Sequence, residues 1–309
     1  MSTGSGGVFQ AVGDAAQAIE RVTWVLFVGG GTIFVGVMLL LAWALCRRAG
    51  KVPARWWTWG AGVAFPTVVL VVLFVWVLPL TPSWRPVPPP NALIITVKAH
   101  MWWWEVRYRD PATGNDILTA NEIRIPVGRP VYLALTSADV IHSFWVPQLA
   151  GKMDMLPGRM QHLLVTATEP GTWRGQCAEF CGAQHTLMAM HVVGLEPAAF
   201  DAWLAAQSQP ATPPATAALA LGRDAFLAQR CNACHTVRGA GADGRLAPDL
   251  THFGSRLHLG AGTLANTPEA RTRWLTHIQQ IKPGAQMPSY ERLDATTLTA
   301  IGQWLGSLQ

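Results

Sequence analysis

The sequence predicts a membrane-anchored chain of several domains: a two-helix transmembrane hairpin, an antiparallel β-sandwich or barrel, and a small all-α domain. Three observations predict it. Two stretches near the start are long, apolar and free of charge. From residue 91 the apolar pattern changes to period two. After a Pro/Ala-rich interval at 208–218 it changes again, to the helical period. The composition agrees, since 50% of the residues are hydrophobic and only 13% charged, a balance too apolar for an ordinary soluble protein.

Residues 1–21 are small and polar, with no basic stretch ahead of a short apolar core, so they read as an extracytoplasmic N-terminal segment rather than a cleaved signal peptide. The first apolar run, 22–46, has no charge between Arg21 and Arg47, and about 20 such residues span a bilayer. The second run, 60–80, is equally apolar; its Pro66 is tolerable in a membrane helix. Together they make a hairpin over 22–80. The connection RRAGKVPAR carries Arg47, Arg48, Lys51 and Arg55. Short basic loops stay in the cytoplasm, which puts both termini and everything after Leu80 outside it. Trp56, Trp57 and Trp59 follow, where an interfacial aromatic belt belongs, so membrane lipid is an expected partner. The net charge of +5 is mild, and no basic run interleaved with aromatics is present, which argues against nucleic acid.

A stiff proline-rich exit, TPSWRPVPPPN, leads into 91–207, where ALIITVKAHMWWWEVRY, NEIRIPVG and RPVYLALTS read as strands between turn residues. On one strand, Trp102 and Trp104 would share a face and Trp103 the other. EPAAFDAWLAAQ reads as a closing helix and 208–218 as a flexible linker. In 219–309, ALGRDAFLAQRC, TPEARTRWLTHIQQ and ATTLTAIGQWLGSLQ are helical.

Chemistry concentrates in two clusters. The first is QCAEFCGAQHTLM, residues 176–188. Thiolate and thioether are soft ligands and imidazole suits copper. Two cysteines four apart on one loop, Cys177 and Cys181, can bridge a pair of coppers, each of which needs a nitrogen and a weak outer ligand. His185 and Met188 lie on the same loop. A second histidine must come from elsewhere: His142 in SADVIHSFWVP is the candidate, with His100, His162 and His191 as rivals. Ligands supplied wholly by protein leave no open position for substrate, which fits an electron carrier.

The second cluster, CNACH at 231–235, is the haem c attachment pattern. Cys231 and Cys234 would bond the haem and His235 the iron. Met287 is the only methionine after Met190, which makes it the candidate sixth ligand; His252, His258 and His277 remain as bis-His alternatives. His/Met ligation raises the potential of a haem iron.

With these motifs in place, residues 20–205 resemble subunit II of cytochrome c oxidase: two N-terminal helices, WWW ahead of the β domain, KMDMLPGR, and the His142 and cysteine-loop motifs. Residues 219–309 resemble the small c-type cytochromes fused to that subunit. The resemblance implies a cupredoxin-like sandwich holding dinuclear copper A. Cys177 and Cys181 would bridge the metals, and His142 and His185 would each bind one. Met188 and the carbonyl of Glu179 would be the weak ligands, the family spacing favouring Met188 over Met190. It implies that the Glu179 side chain serves a magnesium or manganese ion at the interface with subunit I, and that Trp102 is the electron entry. The implied complex is a caa3-type oxidase of a bacterial inner membrane. Electrons from an external c-type cytochrome or an upstream complex would pass through haem c and copper A to subunit I, which carries haem a, haem a3 and copper B, with subunit III alongside. No catalytic residue is expected in this chain.

The pattern departs from the family at one place. Where many members carry a Glu early in the second helix, the count back from Pro66 gives Trp59, which puts the proton-entry role of this subunit in question or leaves it to another subunit. A copper A subunit of a nitric-oxide reductase and a free-standing membrane-tethered carrier are the alternatives; a quinol oxidase subunit would lack Cys177 and Cys181. Residues 91–207 hold 8 basic against 10 acidic side chains, and 221–309 hold 9 against 6, opposite signs that would favour docking weakly.

Overall fold

An uncharged apolar segment satisfies its backbone in lipid only by closing its own hydrogen bonds, and both runs are helical in the computed structural model, which describes residues 7, 9–47, 50, 53–80 and 87–309. Helix α1 spans Asp14–Cys46 and helix α2 spans Ala54–Leu80, with a π-helical stretch at Trp57–Ala64. Their apolar side chains stand uncovered by the rest of the chain. Each helix starts before its apolar run. For α1 the reason is tertiary: the backbone N–H groups of Val12 and Gly13 donate to the Gln148 carbonyl, Ala16 is buried, and its N–H donates to Leu149. The first turns of α1 therefore dock on the β domain. A Cβ at Gly13 would collide with the Leu149 carbonyl, so only glycine permits that approach. The sequence-based readings of Arg48, Lys51 and the exit at 81–86 fall outside the described residues.

The period-two segments build a sandwich of two five-stranded sheets. One has the order β3-β2-β1-β5-β8, from Asp116–Ala120, Trp103–Arg109, Leu93–His100, Val131–Ser137 and Gln161–Val165. The other runs β4-β10-β9-β6-β7, from Glu122–Pro126, Ala189–Leu195, Gly171–Cys177, His142–Trp145 and Met153–Met155. Most pairings are antiparallel, but β1 runs parallel to β5 and β4 to β10. Alternate residues such as Ile95, Val97 and Ala99 fill the space between the sheets with Trp104, Val106 and Phe144. The aromatic run differs from its expected layout. Trp102 lies in the β1–β2 turn and β2 opens at Trp103, so Trp102 and Trp104 do not share a strand face. Trp104 is core; Trp103 stacks on His100 at 4.4 Å.

Helix α3, Pro197–Ser208, closes the sandwich through Phe200 and Leu204. The interval after it is not wholly loose. Ala211 is buried, its N–H donates to the Arg238 carbonyl, and the Arg238 guanidinium donates to the carbonyls of Gln207 and Ser208. The C-terminal domain has its own core around helices α4 (Ala217–Ala228), α5 (Pro268–Ile281) and α6 (Ala295–Ser307). Side-chain oxygens of Thr216, Thr267 and Asp294 accept from the first-turn N–H groups. Helices α4 and α6 cross where Gly222 meets the Ala300 carbonyl, with Phe226 set edge-on to Trp304 at 5.0 Å.

Candidate metal centres and the joint between them

The sulfur-rich loop is fixed at both ends by strands. Cys177 ends β9 opposite Phe144 of β6, and Ala189 opens β10 opposite Gln176. The Cys177 N–H donates to the Met188 carbonyl, closing the loop on itself. His142 opens β6, so strand pairing alone carries it to the same end of the sandwich. The result gathers four buried side chains, Cys177, Cys181, His142 and Met188, with half-buried His185 beside them. The two sulfurs are 3.7 Å apart, and His142 Nδ1 lies 3.8 Å from Cys177 Sγ. His185 Nδ1 lies 3.7 Å and Met188 Sδ 3.9 Å from Cys181 Sγ. The Glu179 carbonyl is 3.2 Å from Cys177 Sγ. Each sulfur thus has its own imidazole, and both thiols are free, well beyond disulfide distance.

Electrostatics sharpen the point. A hydrogen bond from Cys181 holds the Cys177 thiol well below the usual range, and Cys177 in turn pushes the Cys181 thiol up. Two adjacent thiolates in a buried pocket repel, so the loop favours holding both as anions only around cations. His142 Nε2–H donates to the Asp139 carboxylate, 2.8 Å away, which leaves Nδ1 aimed at the sulfurs; this is how imidazole ligands are usually oriented from behind. The donor set fits a pair of soft metal ions. The Glu179 side chain is half-exposed and lies 3.4 Å from Lys152.

The rivals are engaged elsewhere. His100 pairs with Glu105, holding that carboxyl down at about 2; His162 stacks on Tyr132; His191 stacks on His258. Met190 packs beneath Gly175 in the sandwich core.

In the helical domain, Cys231, Cys234, His235 and Met287 line one cavity of about 230 Å³, walled by Phe226, Leu250, Phe253, Trp274 and Leu305. His235 Nδ1 lies 2.8 Å from the Pro248 carbonyl, which leaves Nε2 for a metal. Two thiols, an oriented imidazole and a thioether in an apolar cavity fit a covalently attached haem. His277 lies at the surface beside Glu291, His252 is buried, and His258 is held in its stack on His191.

An adjoining cavity of about 160 Å³ lies between the two domains. His235, Arg256 and Met287 line it from one domain, Trp102 and Gln184 from the other. The Trp102 indole N–H donates to the Cys181 carbonyl at 2.7 Å, and its ring packs on Gly182, whose φ of +105° suits glycine. The sandwich and helical domains are further joined by the Arg124–Ser255, Glu122–Leu257 and Arg174–Gly262 hydrogen bonds and by the Ala189–Ala261 backbone bond. Among the described residues the ion pairs lie within one domain or the other, so directed hydrogen bonds, not the opposite net charges, make the joint. Sequence reasoning missed Asp139, Gln184, Arg256 and Lys282. Only Asp139, three residues before His142, left a local signal.

These features define a membrane-anchored electron-transport protein with a cupredoxin-like domain and a cytochrome c domain. Residues 112–195 match the family model described as cytochrome c oxidase subunit II, periplasmic domain, and residues 219–309 match cytochrome c. The cytochrome c oxidase subunit 2 of Alkalihalophilus pseudofirmus is 35% identical over 258 residues, 82% of this chain and 72% of that one. That of Bacillus sp. (strain PS3) is 34% identical over 229 residues, 71% of this chain and 63% of that one. The crystal structure of the periplasmic domain of subunit II of cytochrome oxidase from Bradyrhizobium japonicum is 27% identical, with a TM-score of 0.37, covering 40% of this chain and 97% of that one. The chain belongs to the cytochrome c oxidase subunit 2 family, with a cytochrome c domain at its C-terminal end.

Proposed function

We propose that the chain is the electron-receiving subunit of a bacterial caa3-type oxidase. When bound, haem c at Cys231, Cys234, His235 and Met287, and copper A at His142, Cys177, Cys181, His185, Met188 and the Glu179 carbonyl, supply one-electron transfer. The direction is from an external c-type cytochrome or upstream complex toward haem a of subunit I, where oxygen is reduced and protons pumped.

One observation carries the reading: the Trp102 indole both lines the cavity shared with His235 and Met287 and donates its N–H to the Cys181 carbonyl. The chain's own residues have three tasks. Asp139 and the Pro248 carbonyl orient the two imidazoles. The buried walls exclude water, which keeps reorganisation small. Helices α1 and α2 anchor both domains on the periplasmic side, both termini included, against subunits I and III. The half-exposed Glu179 carboxylate, which pairs with Lys152 at 3.4 Å, would turn to a magnesium or manganese ion at the subunit I interface. The boundaries proposed are 1–21, 22–80, 91–207, 208–218 and 219–309.

The test is purification of the complex from membranes with metal and haem analysis. Two coppers and one covalent haem c per chain, with a large haem a subunit, are expected. Zinc, or a single copper, in folded protein overturns the copper assignment.

A further inference from the structure

We propose that Lys282 is the latch that positions the cytochrome domain on Trp102, through hydrogen bonds that tie the loop bearing Met287 to the loop bearing Cys181 and His185. The inference rests on the functional reading above for what the latch delivers. Its structural content stands on geometry alone.

Lys282 ends α5 in the run KPGAQMP and is only 4% exposed. A lysine belongs in water unless something holds it inside. Its ammonium donates to the backbone carbonyl of Trp102 at 2.8 Å, across 180 residues of sequence, and among the described residues no carboxylate pairs with it. The return strand of the contact comes from Gln184, itself 1% exposed. Its side-chain amide donates to the carbonyls of Pro283 at 2.9 Å and Lys282 at 3.3 Å. Lys282 and Gln184 thus reach across the joint in opposite directions. What they hold together is specific. Gln184 precedes His185, and Trp102 is bonded to Cys181. On the far side, Gln279 donates to the carbonyls of Ala285 and Met287, so the segment 282–287 moves as one piece. Burial pulls the Lys282 ammonium down to about 7, opposed by the nearby Cys181 charge. The ammonium's hydrogen bond crosses to the other domain, so this buried placement serves the joint.

The experiment uses the full chain in detergent, loaded with haem and copper, comparing the parent protein with Lys282→Met and Gln184→Leu. Hydrogen exchange at amides 282–287 and 101–103 is expected to quicken by roughly tenfold in each variant, the scale of the one charge-assisted bond lost with Lys282 or the two neutral bonds lost with Gln184, while exchange in 298–308 stays unchanged. Electron transfer from photoreduced haem to the copper pair, one electron lost for each gained, is expected to slow by roughly tenfold, with both absorption spectra and both potentials unchanged. The double variant should be less than additive, because the two bonds make one contact. Unchanged exchange at the joint overturns the latch. So does faster exchange with an unchanged transfer rate. A shifted haem potential or lost Met287 ligation also overturns it, because Lys282 would then serve the folding of the haem loop alone. If the parent chain binds no copper or haem, the functional reading fails, and the exchange measurement still decides the latch.

Discussion

At the scale of single residues, the sulfur-rich loop brings together groups that face each other across 3.7–3.9 Å, with one acid behind them. On the copper assignment proposed above, Cys181→Ser removes one of the two sulfurs that would hold the metals. It should abolish binding of both coppers and leave the covalent haem spectrum intact, as seen by metal analysis and absorption of the same sample. Loss of both signals from folded protein would show that the sites are not independent. Asp139→Asn keeps the shape but weakens the bond that orients His142. It should lower copper affinity by about 10–100-fold, measured by competitive chelation, with the fold unchanged by circular dichroism. Met287→Ala should lower the haem potential, because a soft thioether favours the reduced iron; an unmoved potential would point to a histidine as sixth ligand.

At the scale of elements, strand register decides the first site and a helix crossing supports the second. His142 reaches Cys177 because β6 pairs with β9, and Met188 because the backbone closes the loop onto β10. The cytochrome domain rests on close contact of α4 with α6 at Gly222 and Ala300. A methyl group there meets the Ala300 carbonyl, so Gly222→Ala must separate the helices and loosen the Phe226–Trp304 contact. A cost of about 1–3 kcal/mol is expected. Denaturation followed at the haem absorption should register it while the copper signal persists.

At the scale of the whole molecule, the joint between the domains carries a pH dependence of calculable sign. His191 of β10 stacks on His258 of the cytochrome domain at 3.9 Å and 6°. Burial depresses both, His191 to about 4, with Arg174 adding to the effect and Glu122 opposing it at His258. A depressed histidine is neutral when docked and takes up a proton when released. The docked state is therefore favoured above the ordinary histidine pKa and loses stability as pH falls from about 6.5 toward 4. Inter-domain hydrogen exchange should quicken over that window, and His191→Phe should flatten the dependence. A flat profile in the parent protein would refute the assignment.

How much of this was legible differs by level. The two apolar runs, the strand and helix periods, the sulfur-rich loop and the CNACH pattern are local, and local chemistry determined them: an uncharged run of 20 residues, or two thiols four apart, has few physical uses. The start of α1 at Asp14, the parallel seams, the displacement of Trp102 into a turn and the burial of Lys282 were decided by tertiary structure. Each depends on partners distant in sequence: Gln148 for Gly13, Trp102 for Lys282. No periodicity records that a lysine will find a carbonyl 180 positions away, because the choice is made by how two finished domains fit and not by the propensities of the segment that carries it.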